Sequence, residues 1–283
     1  MRQPLHSSAF ILLLAVAITA CSLKSIYNRL DFLIPEYVEG MVTLDDTMEG
    51  MVEQRSLMLL NWHRNTQLKL YADWLLTIQR DTGNRLTEEI VEQRIAEAEQ
   101  FWRTLAVRIN DEMALLLPLL DEDQKAELFS NIEESNEEFR EEFVELDEDD
   151  RIDDYIESMI DTCEYWIGEL TGAQALAVEA AASGLLSTAE LRMQRRVAWQ
   201  GGIRKILEEA ESIENKSEKL RQFLAGFEDI NNQALKVKTE INRGIITALT
   251  VEMLNSMTKQ QRQHFIEKTN EYIRILNELA ENR

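Results

Sequence analysis

Few side chains in this sequence could act as nucleophiles or metal ligands. The chain has two cysteines, Cys21 and Cys163, and three histidines that lie far apart. A reactive thiol needs a base or a positive charge beside it, whereas the sequence neighbours of Cys163 are Asp161 and Glu164. We therefore expect Cys163 to have a small, buried side chain and no catalytic role. The spacing of the histidines and cysteines predicts no metal site.

Acidic residues are concentrated between positions 133 and 154. Like charges four residues apart oppose helix formation by a few tenths of a kcal/mol each, so their repetition invites a functional explanation. The oxygen spacing and the glycine turn of a calcium loop are missing, which favours a solvated helix face. A divalent-cation-binding module on this acidic helix is an alternative. The repeated side chains are Glu133, Glu137, Glu141 and Glu145.

The first 21 residues have the layout of a secretory signal. Arg2 supplies a short basic region, residues 9–20 are apolar apart from Thr19, and small residues precede Cys21. The apolar run is shorter than the ~20 residues that a membrane-spanning helix needs. The small residues and Cys21 resemble a bacterial lipobox. That resemblance implies cleavage before Cys21, a diacylglyceryl thioether on its sulfur, and acylation of the new amino terminus.

The composition limits what the mature chain can bind. The full sequence has a net charge of −22, from 52 acidic and 30 basic side chains, and removal of residues 1–20 takes away only one base, Arg2. This charge argues against nucleic acid and against docking on anionic lipid through a basic face. Membrane attachment is therefore expected to come from acyl chains on Cys21. No motif for a nucleotide, a cofactor or a catalytic serine or zinc is present, so we predict no cofactor.

Apolar residues recur at helical spacing through most of the chain, and no stretch alternates with the period of a strand. We predict an all-α fold of about eight helices, as an elongated antiparallel bundle or as stacked helical hairpins. The predicted parts are a signal peptide at 1–20, a lipidated segment and tether at 21–43, an N-terminal helical half at 44–146 and a C-terminal helical half at 151–283, with an acidic linker candidate between the halves.

Local signals predict several helix boundaries. Pro35 is expected to end a first short helix, Gly83-Asn84 to form a turn, and Pro118 to end or kink a long helix. An apolar seam is predicted from Ile203 to Phe227. Capping boxes are predicted where Ser, Thr or Asp precedes Gln or Glu by three residues. These pairs are Asp121 with Gln124, Thr171 with Gln174, Ser187 with Glu190, and Thr258 with Gln261.

The chain resembles a family of uncharacterised, all-helical bacterial lipoproteins. The resemblance is carried by Cys21-Ser22, by Tyr27-Asn28-Arg29-Leu30-Asp31, and by Trp62-His63-Arg64 with Tyr71. It implies a cell-envelope address and no assigned activity. On this resemblance, Trp62, His63, Arg64 and Tyr71 are the candidate partner-binding surface. We expect His63 to be partly buried near a helix end, where a positive charge is favoured.

A weaker likeness is to Spy-type periplasmic chaperones, which carry Leu-Thr-x-x-Gln repeats. The segment from Leu170 to Gln174 matches that repeat, and the segments 120–124 and 257–261 match it with one substitution each. This likeness implies a protein client.

Together these features predict a non-enzymatic lipoprotein that acts as a protein-interaction or chaperone-like scaffold of the cell envelope. By resemblance to lipoprotein sorting, Ser22 rather than Asp after the modified cysteine favours the outer membrane, with the protein on its periplasmic face. An envelope hydrolase that uses a pair of carboxylates is the alternative, because the chain is rich in acids and no spacing singles out a pair.

Overall fold

A computed structural model describes residues 20–226 and 233–281, with side chains from residue 23 onward. These residues form helices and no strand, which confirms the predicted all-α class. The helices are more numerous than predicted, and both the first short helix and the seam from Ile203 are divided in two. The predicted signal peptide lies almost entirely outside the described residues. No described helix is both long and apolar enough to cross a membrane.

The helices follow one another through short connections. The first six are α1 (Ala20–Tyr27), α2 (Leu30–Glu39), α3 (Asp46–Thr66), α4 (Leu68–Asp81), α5 (Glu88–Leu116) and α6 (Glu122–Phe139). A 3₁₀ turn (Leu117–Leu119) follows α5, and a π-helical turn (Arg140–Val144) follows α6. The remaining helices are α7 (Glu148–Ile167), α8 (Gly172–Gly184), α9 (Ala189–Glu208), α10 (Ile213–Gly226), α11 (Gln233–Ser256) and α12 (Lys259–Glu281).

Helix starts follow local chemistry closely. Capping boxes begin α6 at Asp121 and α8 at Thr171, and Thr258 exchanges the same pair of hydrogen bonds with Gln261 before α12. The box predicted at Ser187 is wrong. Thr188 precedes α9 instead, with φ −112° and ψ 0° and no capping hydrogen bond from its side chain. An extended backbone is what lets a capping side chain reach the helix amides.

Pro35 does not end the first helix as predicted. It lies inside α2 and is buried there, and the chain breaks earlier, at residues 28–29. The segment after Pro35 is therefore helical as far as Glu39. A proline inside a helix forfeits one backbone hydrogen bond. Here α2 packs mainly against α3, and burial of the Pro35 ring offsets that loss.

The seam predicted from Ile203 onward is divided between α9 and α10, and its last residue, Phe227, lies outside the described residues. The two helices fold back on each other across residues 209–212. Gly202 makes this possible, since a Cβ atom at that position would overlap the Phe223 ring. Buried side chains join the pair to α5 and α6: Ala114, Phe129, Ile203, Ile206, Leu207, Leu220 and Leu224.

Helices from opposite ends of the chain share a core. α4 packs against α12 over much of its length, and α5 contacts both α10 and α11. α1 closes this core at one end through Leu23 and Tyr27. The buried side chains of the core are Tyr27, Leu68, Ala72, Tyr272, Ile273, Ile275, Leu276 and Leu279. The N-terminal helix is therefore part of the packed body.

Candidate functional site

The four residues of the predicted surface lie close together where α3 ends and α4 begins. His63 and Arg64 are in the last turn of α3, and only Gln67 separates that helix from α4, which carries Tyr71. The His63 ring lies between two tyrosine hydroxyls. Its Nδ1 is 2.9 Å from Tyr27 Oη, and its Nε2 is 3.2 Å from Tyr71 Oη.

The neighbouring cationic and aromatic side chains complete this cluster. The Arg64 guanidinium lies over the Tyr27 ring, 5.4 Å from its centroid, and its Nη2 is 3.5 Å from Asn28 Oδ1. Trp62 lies under the Arg108 guanidinium at 5.3 Å. Since Tyr27 belongs to α1, His63, Arg64 and Tyr71 form a seat for that helix, which we call the α1 seat. Whether a partner also binds there stays a prediction.

His63 is uncharged in this environment. Burial lowers its pKa from 6.5 to about 4, because a buried imidazolium loses its hydration without gaining a counter-charge. His63 therefore does not carry the positive charge that was expected of it at the end of α3, where Arg64 supplies one. A neutral imidazole carries one N–H, so His63 donates to one tyrosine and accepts from the other. Burial, followed by Tyr27, raises the pKa of Tyr71 to about 12.

The predicted lipid-attachment residue lies on the helix that this seat holds. The backbone of Cys21 belongs to α1, and the structure does not describe its side chain. Two residues later Leu23 packs on the core, and Lys24 Nζ donates a 2.6 Å hydrogen bond to Glu278 on α12. α1 is thus held by the α1 seat on one side and by α12 on the other.

A groove of about 590 Å³ runs between α3, the end of α5 and the start of α10. Met51 and Met58 line it and are 40% and 51% exposed. Met51 and Met58 are not among the buried residues of α3, which are Met48, Val52 and Ser56. We call this feature the methionine groove. Its other lining residues are Gln54, Arg55, Leu115, Leu116, Leu119, Ile213, Glu214, Ser217 and Arg221.

Sequence reasoning missed this groove although a signal was present. Met51, Arg55 and Met58 are spaced by four and three residues, so they share one face of α3. The buried residues Val52 and Ser56 follow Met51 and Arg55, respectively, by one position, so they lie on a neighbouring face of the helix. A helix with two neighbouring apolar stripes has more apolar surface than one core contact requires, and that excess marks a face left for another contact.

The thiol and the acid run have no feature of a reactive site. Burial, followed by Glu164, raises the pKa of Cys163 to about 11, which keeps the thiol protonated. In the acid run, Glu133 pairs with Arg204 at 2.7 Å and Asp147 caps α7 through the amide of Asp150. Across the parts of the chain that the structure covers, no group of three His, Cys, Asp or Glu side chains is placed to hold a metal ion.

Two of the Leu-Thr-x-x-Gln-like segments meet in the structure. Gln174 and Gln261 are 2% and 4% exposed, and each donates an amide hydrogen to the other's oxygen, at 3.2 and 2.8 Å. Each also accepts from the amide that begins its own capping box. These glutamines therefore lock the starts of α8 and α12 together, which is a structural role.

Comparison with known proteins adds one finding. Residues 41–233 match a family of unknown function, DUF6279. The chain belongs to this family. No curated protein and no solved structure matches this chain.

The DUF6279 match covers some of the features described above and not others. The methionine groove, from Met51 to Arg221, lies entirely within the matched residues, as do His63, Arg64 and Tyr71. Cys21 and Tyr27 precede them. The family match agrees with the expected uncharacterised family. The lipoprotein pattern and the likeness to Spy-type chaperones stay predictions.

Proposed function

We propose that this DUF6279 protein is a lipoprotein anchored to the periplasmic face of the outer membrane. It acts without catalysis, by binding another envelope protein in the methionine groove. The groove is the observation that carries the proposal, because it is a concavity in which two exposed methionines and other apolar side chains lie beside the charged Arg55, Glu214 and Arg221.

Two observations support the anchor. The sequence places a basic residue, an apolar run and small residues before Cys21. The packed body begins directly after it, since Leu23 already contacts the core. Acyl chains on Cys21 would then hold the whole helical body at the membrane, and two or more chains anchor a protein stably.

The chemistry of the groove favours an amphipathic helix as its occupant. Methionine is flexible and polarizable, so a methionine-lined surface accommodates different apolar side chains. Helices commonly bind in grooves between helices through apolar residues spaced by three and four. The strong negative charge of the chain favours a partner whose exposed face is cationic, because long-range attraction speeds encounter.

A hydrolytic function has no comparable support. A catalytic acid is expected to show a raised pKa in a cleft. Within the described segments, the carboxyl group whose pKa is raised is that of Asp150. The main cause of this rise is the negative charge of the neighbouring Asp147. Asp150 lies exposed at the start of α7, away from the methionine groove.

Suppression of aggregation tests the proposal with a defined client. Reduced lysozyme is allowed to aggregate with and without the folded protein, and light scattering is recorded. We expect suppression by the wild type, weaker suppression by Met58→Glu, and wild-type suppression by the control Leu176→Glu on α8, where the side chain is 65% exposed. Inactivity of the wild type in excess, or equal activity of Met58→Glu, would contradict the proposal.

A further inference from the structure

Another cavity, of about 400 Å³, lies where α9 packs against the end of α6 and the π-helical turn that follows it. Three arginines of α9 line it, Arg192, Arg195 and Arg196, together with the rings of Phe139 and Trp199. The arginines are spaced by three and four residues from Arg192, so one face of α9 carries all three charges. Like charges at this spacing oppose helix formation. Their concentration in one cavity of a chain with a net charge of −22 therefore requires an explanation.

Neutral side chains hold Arg196 in place within this cavity. Its Nε donates to Asn136 Oδ1 at 2.6 Å, and its Nη2 donates to Ser135 Oγ at 2.8 Å. The side-chain amides of Asn136 and Gln200 exchange hydrogen bonds of 2.7 and 3.1 Å, which fixes the orientation of Asn136. These partners use two of the five N–H groups of the guanidinium. They orient Arg196 without cancelling its positive charge.

An aromatic ring orients the guanidiniums further. Those of Arg192 and Arg196 lie over the Phe139 ring, at 5.6 and 5.7 Å from its centroid. Stacking uses the face of a guanidinium, and its N–H groups point outward in the plane. Burial is the main cause that lowers the pKa of Arg192, Tyr155 opposes it, and the charges of Arg196 and Arg195 add to it. An anion bound among the three arginines would relieve their mutual repulsion.

We propose that these three arginines and two rings form an arginine pocket that binds a phosphate monoester. The phosphate group carries close to two negative charges and three strong acceptor oxygens, and guanidinium forks bind such oxygens in pairs. A carboxylate supplies one charge and two oxygens. The rings of Phe139 and Trp199 provide an apolar contact for the organic part of the ester. The proposal depends on neither the anchor nor the methionine groove, which has different lining residues.

Calorimetric titration of the full-length protein in a non-ionic detergent at pH 7.5 tests the arginine pocket. The probes are phenyl phosphate and benzoate, which carry the same ring and differ in the anion. We expect phenyl phosphate to bind, and benzoate to bind about tenfold more weakly or less, because it loses charge-assisted hydrogen bonds. Failure of phenyl phosphate to bind at millimolar concentration, or equal binding of the two probes, would overturn the proposal.

Substitution of Arg195 connects this binding to the pocket. Arg195 is exposed, so its replacement leaves the core intact, and circular dichroism verifies the fold of each variant. Arg195→Gln should weaken the binding of phenyl phosphate about tenfold or more. Arg195→Lys keeps the charge without the planar fork and should show a smaller loss. The matched control Arg103→Gln removes an exposed arginine from α5 and should bind like the wild type. Equal losses in Arg195→Gln and Arg103→Gln would contradict the pocket.

Two further probes identify the source of the phosphate group, which belongs either to a soluble ester or to a lipid headgroup. Dihexanoyl phosphatidic acid below its micelle concentration presents the monoester on a lipid, and inorganic phosphate presents it without an organic group. Tighter binding of the phosphatidic acid than of phenyl phosphate assigns the pocket to a lipid headgroup, and the reverse assigns it to a soluble ester. Both rankings support the phosphate site. Inorganic phosphate that binds as tightly as either ester would overturn the role given to Phe139 and Trp199.

Discussion

Acidification should loosen the α1 seat, because protonated His63 can no longer accept a hydrogen bond. The pKa of this ring is about 4 in the folded chain, against 6.5 unperturbed. A group whose pKa is lowered by folding contributes stability that is present above its unfolded pKa. That contribution disappears as the pH falls through the folded pKa. For His63 the window therefore extends from above pH 6.5 down to about 4.

The size of the effect follows from the same two values. One pKa unit corresponds to about 1.4 kcal/mol, so complete protonation of His63 removes about 3 kcal/mol from the free energy of unfolding. At pH 5 about 2 kcal/mol of this is already lost. Release of α1 is the local way to relieve that cost, since Tyr27 is the contact of His63 on α1.

Urea unfolding of the wild type and of His63→Gln at pH 7.5 and pH 5 measures this contribution. Carboxylates and the other histidines titrate in both proteins, so the difference between the two proteins isolates His63. We expect the wild type to lose about 2 kcal/mol more than the variant on acidification. An equal loss in both proteins, or an NMR titration of His63 with a midpoint near 6.5, would refute the reasoning.

Two further predictions concern packing. Gly202→Ala should lower the free energy of unfolding by about 1–3 kcal/mol, because the added methyl group overlaps the Phe223 ring. The matched control Gly201→Ala, whose Cβ would meet nothing within 4 Å, should raise it by up to about 1 kcal/mol; equal effects in urea denaturation would count against the close crossing of α9 and α10. Gln174→Ala should cost about 1–3 kcal/mol, because buried Gln261 loses a partner. In thermal unfolding, the double variant with Gln261→Ala should cost less than the sum of the single variants, and simple additivity would argue against the coupled pair.

How much of this fold the sequence predicted depends on whether the deciding interaction is local. The capping boxes at Asp121, Thr171 and Thr258 form within four residues, and they were found correctly. Pro35 was misassigned because burial of its ring in the folded chain offsets a local preference. Gly202 gave no local sign that Phe223 would lie against it.

The same distinction applies to the candidate site. Trp62, His63, Arg64 and Tyr71 were grouped on the family resemblance, and they lie together because only Gln67 separates α3 from α4. Their contact with Tyr27 was not predicted, because it depends on how α1 folds back over α3 and α4. The methionine groove was missed for a similar reason, since its walls come from three helices that tertiary packing brings together.

The anchor is the central claim, and mass spectrometry of the amino-terminal peptide tests it most directly. The protein is extracted from membranes with detergent and digested, and the first peptide is sequenced. The account predicts a peptide that begins at Cys21, with a diacylglyceryl group on the sulfur and an acyl chain on the amino group. A peptide that begins at Met1, or an unmodified Cys21 in membrane-extracted protein, would contradict it.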